Sequence, residues 1–202
     1  MNKPMEAIIE TREGGWIETY TGRRFYPLDP RPEDVSIRDI AHALSLVCRF
    51  NGHVRHHYSV AQHSVLCACH VINRHGNTAA LYALLHDAAE AYVCDIPRPF
   101  KGDLGGYAKI EADVHAAILQ AFGLPAMTDA QHAIIKDADD IALYNEATAL
   151  LSAASWVPDI DFPKIQIEHM QPESAEKRFS ALFSLLINRV REELSNGTDV
   201  GK

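Results

Sequence analysis

The chain has 202 residues, of which 47% are hydrophobic and 23% charged. This is a globular composition for one domain and excludes extensive disorder. Nineteen basic against 27 acidic side chains leave a net charge of −8, which argues against a main role on a nucleic-acid polymer or an anionic membrane. The longest apolar run, Ala79 to Leu85, falls far short of the roughly 20 residues of a membrane span. Met1 to Gly15 lacks the apolar core of a signal peptide. Cys48, Cys67, Cys69 and Cys94 form no C-x2-C pair, so reduced thiols in a cytoplasmic protein are expected.

Trp16 to Tyr20 and Arg23 to Tyr26 are rich in aromatic and β-branched residues and flank Thr21-Gly22, which predicts a small β-hairpin. Pro27, Pro30 and Pro32 then keep the chain extended. Ser36 with Asp39 opens a first helix that Asn51-Gly52 ends. Ser59-Val60-Ala61-Gln62 is a capping box for a second helix, closed by Gly76. A third helix, apolar nearly all round, is predicted from Thr78 to about Val93. A fourth, carrying Ile110 to Ala121, stops at Gly123 and Pro125. Thr128 and Gln131 cap a long fifth helix reaching about Ser155. Pro172 begins a last amphipathic helix that Gly197 ends. The divisions are a hairpin and extended segment over 1–35, a helical bundle over 36–197 and a flexible tail over 198–202.

Eleven histidines are many for this length and point toward metal chemistry. His86-Asp87 falls within the apolar third helix, where unpaired ionisable groups are costly. Glu90, at i+3 and i+4 from them, lies near the same side. Asp139 shares an apolar stripe with Ile135, Ala142 and Glu146 and needs a partner. With His63, in the first turn of the second helix, these residues offer a mixed N/O donor set. Such a set does not select among divalent metals.

The set His63, His86-Asp87 and Asp139 resembles the H…HD…D signature of the HD-domain metal-dependent phosphohydrolases. Leu84-Leu85-His86-Asp87-Ala88-Ala89-Glu90, followed by Cys94-Asp95-Ile96-Pro97-Arg98-Pro99-Phe100-Lys101, is similar to the bacterial 5′-deoxynucleotidase branch. In that branch L-L-H-D-A-x-E precedes G-D-x-P-x-P-x-K. Tyr58 to Ser64 and Ala138-Asp139 also resemble it, so the likeness covers about 36–155. Cys94 stands where the branch has glycine, Arg98 where it has a smaller residue, and Phe50 where it has tryptophan.

The resemblance implies an all-α HD-domain bundle, here of about six helices with the hairpin attached. It implies one divalent ion (Mn, Co, Ni, Fe, Mg or Zn) on His63, His86, Asp87 and Asp139. Glu90 would position or deprotonate the attacking water, and Asp95 would protonate the leaving 5′-oxygen. Arg49 and Lys101 would hold phosphate, with Phe50 near the sugar or base. The implied activity is hydrolysis of a (deoxy)nucleoside 5′-monophosphate to nucleoside and phosphate. A nucleoside triphosphohydrolase, kept open by Arg98, and a non-catalytic nucleotide-binding domain are the alternatives. His115 and His132 offer a second metal site, and one ion is the preferred reading. His56 or His57 could line the pocket, His42 belongs to the core or supports the site, and Cys67 and Cys69 pack. The hairpin aromatics are expected to pack on the helices. Members of the branch often pair helices into dimers, and the last helix suits either a homodimer contact or the core.

Overall fold

A computed structural model describes residues 11–197. The expected tail at 198–202, and positions 1–10 of the N-terminal segment, lie outside the described residues. The fold is mostly helical, with one small antiparallel sheet.

β1 (Ile17–Glu18) pairs with β2 (Arg24–Phe25), Ile17 opposite Phe25 and Glu18 opposite Arg24. The Gly22 amide donates to the Thr19 carbonyl, and the Thr19 amide donates to that of Arg23, each at 2.9 Å. Gly22 takes φ 78°, a left-handed geometry that glycine adopts freely. The strands are two residues each, and the loop threonines bond outside the hairpin. Both hydroxyls, of Thr19 and Thr21, donate to Asp39 Oδ2 at 2.9 Å, and the Thr21 amide donates to Oδ1 at 2.7 Å. Asp39 therefore fastens the hairpin to the first helix, and Ser36 makes no side-chain cap bond.

α1 (Ile37–Leu46) stops well before Asn51-Gly52. The chain from Val47 instead doubles back on the residues after it. The Val60 amide donates to the Val47 carbonyl at 3.0 Å, and that of Arg49 to Tyr58 at 2.9 Å. The connection between the two segments begins with a tight turn over Arg49–Gly52, with Phe50 and Asn51 both at φ 54°.

α2 (Val60–Leu85) starts at the expected capping box and is broken at Gly76 (φ 80°, ψ −177°), where the second helix was predicted to end. Its second part is buried nearly all round, and the element packs against α1 (Ile37–Leu46) and the two long helices that follow. The predicted continuation to Val93 is interrupted. Past Leu85 the bonds tighten to three-residue spacing, Ala88 to Leu85 and Glu90 to Asp87, each at 3.0 Å. A single turn, α3 (Glu90–Val93), follows. Three-residue winding stacks Asp87 and Glu90 one above the other.

α4 (Arg98–Lys101) is a single turn after Pro97. α5 (Tyr107–Ala121) closes as a Schellman motif, the Leu124 amide bonding Leu119 at 2.9 Å and that of Gly123 bonding Gln120 at 3.0 Å. α6 (Asp129–Leu150) has the predicted Thr128/Gln131 box and ends before Ser155, because Leu151 is extended and Ala154 is left-handed at φ 46°. In α7 (Pro172–Gly197), Phe179, Phe183, Leu186, Ile187 and Val190 are buried against the chain's own core. No described helix is long and apolar enough to cross a membrane. The four cysteines are unpaired.

Candidate functional site

His63 enters the centre from the capped first turn of α2 and is wholly buried. Its Nδ1 lies 2.8 Å from Oε1 of Glu146 on α6. The carboxylate accepts, which sets Nδ1 as the protonated nitrogen and turns Nε2 inward. His86, at the end of α2, is fixed the same way: its Nδ1 lies 2.8 Å from the Ala83 carbonyl. The two free Nε2 atoms face each other at 3.3 Å. Asp139 Oδ1 is 3.3 Å and Asp87 Oδ2 3.5 Å from His63 Nε2, and Asp87 Oδ2 is 3.1 Å from His86 Nε2. The structure thus brings together His63, His86, Asp87 and Asp139 from three separated stretches of chain.

Burial pushes the Asp87 carboxyl up, but the adjacent His86, then His63 and Arg49, outweigh it and hold the group far below the usual range. Asp139 is likewise held low, with burial opposed by its bond to His63. Burial and Arg49 act to lower His63, while Cys67, Glu146 and Asp139 raise it, and the net shift is well upward.

Of these, Asp87 and Asp139 reach the lining of a cleft of about 940 Å³. Arg49, Phe50, Asp87, Glu90, Asp95, Lys101 and Asp139 all line it, so every residue singled out for catalysis or substrate binding faces one space. Glu90 is buried, and its Oε2 has no hydrogen-bond partner. Burial first, then the charges of Asp87 and Asp95, drives its carboxyl well above the ordinary value. Burial also raises Asp95.

The cations of the cleft are already engaged. Arg49 is buried, with Nε donating to Glu146 Oε2 at 2.9 Å and Nη1 3.6 Å from Asp87. Arg98 donates to Asp139 Oδ2 at 2.5 Å and to Asp140 at 3.2 Å. Lys101 donates to Glu111 at 2.7 Å.

Several other histidines lie apart from the cleft. His56 packs edge-on against His169, and His42 stacks on Tyr20 and bonds Glu176 at 3.0 Å. His115 and His132 line a neighbouring cavity of about 300 Å³ that His86 and Asp139 also line. Cys67, expected only to pack, places its Sγ 3.6 Å from His63 Nε2, and His63, Cys67 and His86 form a group that could hold a metal ion. Burial raises the Cys67 thiol, which keeps its proton on and weakens it as a ligand.

Sequence reasoning overlooked Glu146 and Trp156. Glu146 is fully buried and joins His63 to Arg49. Its signal was visible as a carboxylate two turns beyond Asp139 on the same apolar stripe. Trp156 lines the cleft from a segment with no periodicity to read.

Fold and site together define a mostly helical protein with a largely shielded two-histidine, two-carboxylate centre whose Asp87 and Asp139 line the cleft. No family model matches the sequence. The chain is 43% identical over 147 residues to the uncharacterized protein YfdR of Escherichia coli (strain K12), covering 72% of this chain and 79% of that one. It is 37% identical over 156 residues to the uncharacterized protein RCAP_rcc00048 of Rhodobacter capsulatus, covering 74% and 80%. The chain belongs to the family of these two proteins.

Proposed function

We propose that the protein is an HD-domain phosphohydrolase. It would cleave a nucleoside 5′-monophosphate to nucleoside and phosphate, with one divalent ion on His63, His86, Asp87 and Asp139. The observation that carries this reading is the spacing of the four donor atoms. Four of the six donor pairs, three of them to His63 Nε2, lie 3.1 to 3.5 Å apart. Donors bound at about 2.1 Å to one ion are separated by about 3.0 Å along an octahedral edge and about 3.4 Å along a tetrahedral one. Two imidazole lone pairs facing each other at 3.3 Å repel unless a proton or a cation lies between them. Asp87 and Asp139, held ionised, complete a donor set that binds such a cation.

A divalent ion supplies Lewis-acid polarisation of a phosphoryl oxygen there. The other parts belong to the chain. Glu90 Oε2, buried and unpartnered, accepts a proton from the water that attacks phosphorus. With a divalent ion held on the four ligands, the Asp87 charge that helps to raise Glu90 would be offset, and the ionised form of Glu90 would be favoured. Asp95, its carboxyl raised by burial, gives a proton to the leaving 5′-oxygen. The new bond joins water oxygen to phosphorus, and the bond that breaks is the one from phosphorus to that 5′-oxygen.

Charge balance favours one phosphate over three. Arg49, Arg98 and Lys101 are each paired with carboxylates, and Asp87, Glu90, Asp95 and Asp139 face the same space. Little positive charge remains for a triphosphate. A single phosphate of about −1.5 to −2 matches one divalent ion.

The test is phosphate and polyphosphate release from nucleoside mono-, di- and triphosphates, with Mn, Co, Ni, Fe, Mg or Zn added back after chelation. Metal-dependent phosphate release from monophosphates is expected, falling about 100-fold or more in Glu90→Gln. Release of triphosphate would replace the monophosphate reading. No release from any compound by metal-loaded protein would end the hydrolase reading.

A further inference from the structure

We infer that Trp156 is a specificity-determining residue, the face on which the aromatic base of the substrate stacks. The inference rests on the phosphohydrolase reading of the cleft. It names what that cleft selects: a phosphate ester bearing an aromatic base, in preference to a plain sugar phosphate.

The cleft is divided by chemistry. Its floor is acidic, with Asp87, Glu90, Asp95 and Asp139, while Phe50, Tyr144 and Trp156 supply an aromatic wall. The phosphate end belongs at the floor, so the rest of the ligand lies along the aromatics. Trp156 is 52% exposed and takes no part in the buried core. A large ring left half in water on a cleft wall contributes little to folding, and it suits a partner with a flat apolar face.

Backbone conformation gives independent support. Among the described residues, the non-glycine positions with positive φ are Phe50, Asn51, Cys94 and Ala154. Phe50 and Asn51 line the cleft, and Cys94 immediately precedes its Asp95. Ala154 opens the turn that presents Trp156, closed by the Val157 amide donating to the Ala154 carbonyl at 3.0 Å. Left-handed geometry is unfavourable for residues with a Cβ and collects where a fold must present a side chain. Here it occurs at both aromatic loops of one cleft. Tyr144, the third aromatic of the cleft, packs at a tilt against Phe162, ring centroids 5.5 Å apart.

The chain has two tryptophans, so Trp16→Phe leaves Trp156 as the only one. In that background, with Glu90→Gln to stop turnover and Mg present, Trp156 emission is followed while deoxyadenosine or thymidine 5′-monophosphate is added. Ribose 5-phosphate is the comparison. The nucleotides are expected to quench at concentrations where ribose 5-phosphate does not. In the active protein, Trp156→Ala should lower the ratio of kcat/KM for nucleotide over ribose 5-phosphate by about tenfold, and Trp156→Phe should restore most of it. Equal quenching by both ligands, or an unchanged ratio in Trp156→Ala, overturns the inference while phosphate release still upholds the hydrolase. Base-selective quenching without phosphate release from any compound supports the stacking face and removes the hydrolase reading instead.

Discussion

His63 and Glu146 are 83 positions apart in sequence, yet their side chains meet at 2.8 Å, both wholly shielded from solvent. The contact fixes which imidazole nitrogen faces the other donors. It also ties the centre to Arg49, because the second oxygen of Glu146 holds that guanidinium.

Glu146→Gln is expected to weaken divalent-metal binding by about 10- to 100-fold, since the amide replaces the carboxylate that orients His63. Titration calorimetry with Zn or Mn measures it. Glu146→Ala leaves Arg49 buried without its main partner and should cost about 3–5 kcal/mol in thermal or urea unfolding. Wild-type metal affinity in the Gln protein would separate Glu146 from the centre.

The ligand set is open to a direct comparison. His86→Ala and Asp139→Ala should each lose bound metal after chelation and reloading, as measured by elemental analysis. Cys67→Ala should keep it, because the buried thiol stays protonated. Metal loss in Cys67→Ala with retention in Asp139→Ala would place the ion on the His63, Cys67 and His86 group instead.

Cys94 adopts φ 72° and ψ 155°, a region suited to glycine. Cys94→Gly should therefore stabilise the fold by about 1 kcal/mol, after allowing for the extra freedom of glycine in the unfolded chain. For a chain of this length that is a Tm rise of about 2–4 °C. A lower Tm would mean that the thiol itself makes a stabilising contact.

Acid should destabilise the metal-free protein through the carboxylates that are held low, Glu146, Asp87 and Asp139, while Glu90 and Asp95, whose carboxyls are raised, act in the opposite direction. Burial raises the Glu146 carboxyl, but Arg49 and His63 outweigh it and hold the group below its ordinary value of 4.5. On this side chain the unfolded chain takes up protons at a higher pH than the folded one does. The stabilisation is thus complete above about pH 4.5 and is lost as the pH falls through the folded value. Asp87 and Asp139 act in the same direction. Tm measured from pH 7 to pH 3 should fall more steeply in the wild type than in Glu146→Gln; parallel curves would show that Glu146 contributes nothing to the acid response.

The helix starts at Ser59 and Thr128 and the breaks at Gly76 and Gly123 were legible because each depends on chemistry within a few residues. The early end of α1 was not, since it follows from backbone pairing with Tyr58 and Val60 across a turn. The tightening after Leu85 was hidden for a similar reason: helical periodicity does not distinguish three-residue from four-residue bonding over one turn. His86, Asp87 and Asp139 stood out as ionisable residues set among apolar ones, whereas His63 joined them through the resemblance to the H…HD…D signature. Glu146 could be placed on the stripe of Asp139, but its partners His63 and Arg49 come from distant segments and no local spacing marked them. Trp156 lies where conformation is set by a turn and not by a repeat, so no spacing marked it.

Phe25 of the hairpin is fully buried and stacks on Tyr92 of α3, ring centroids 3.8 Å apart. Tyr92 is two residues from Glu90 and three from Asp95. A shortened protein starting at residue 36, where the helices begin, would strip the cover from Tyr92 and take from Asp39 the three donors that hold it. The N-terminal hairpin is in this sense a keystone laid from outside: it bears on the helical turn that carries Glu90, so its removal should loosen that carboxylate.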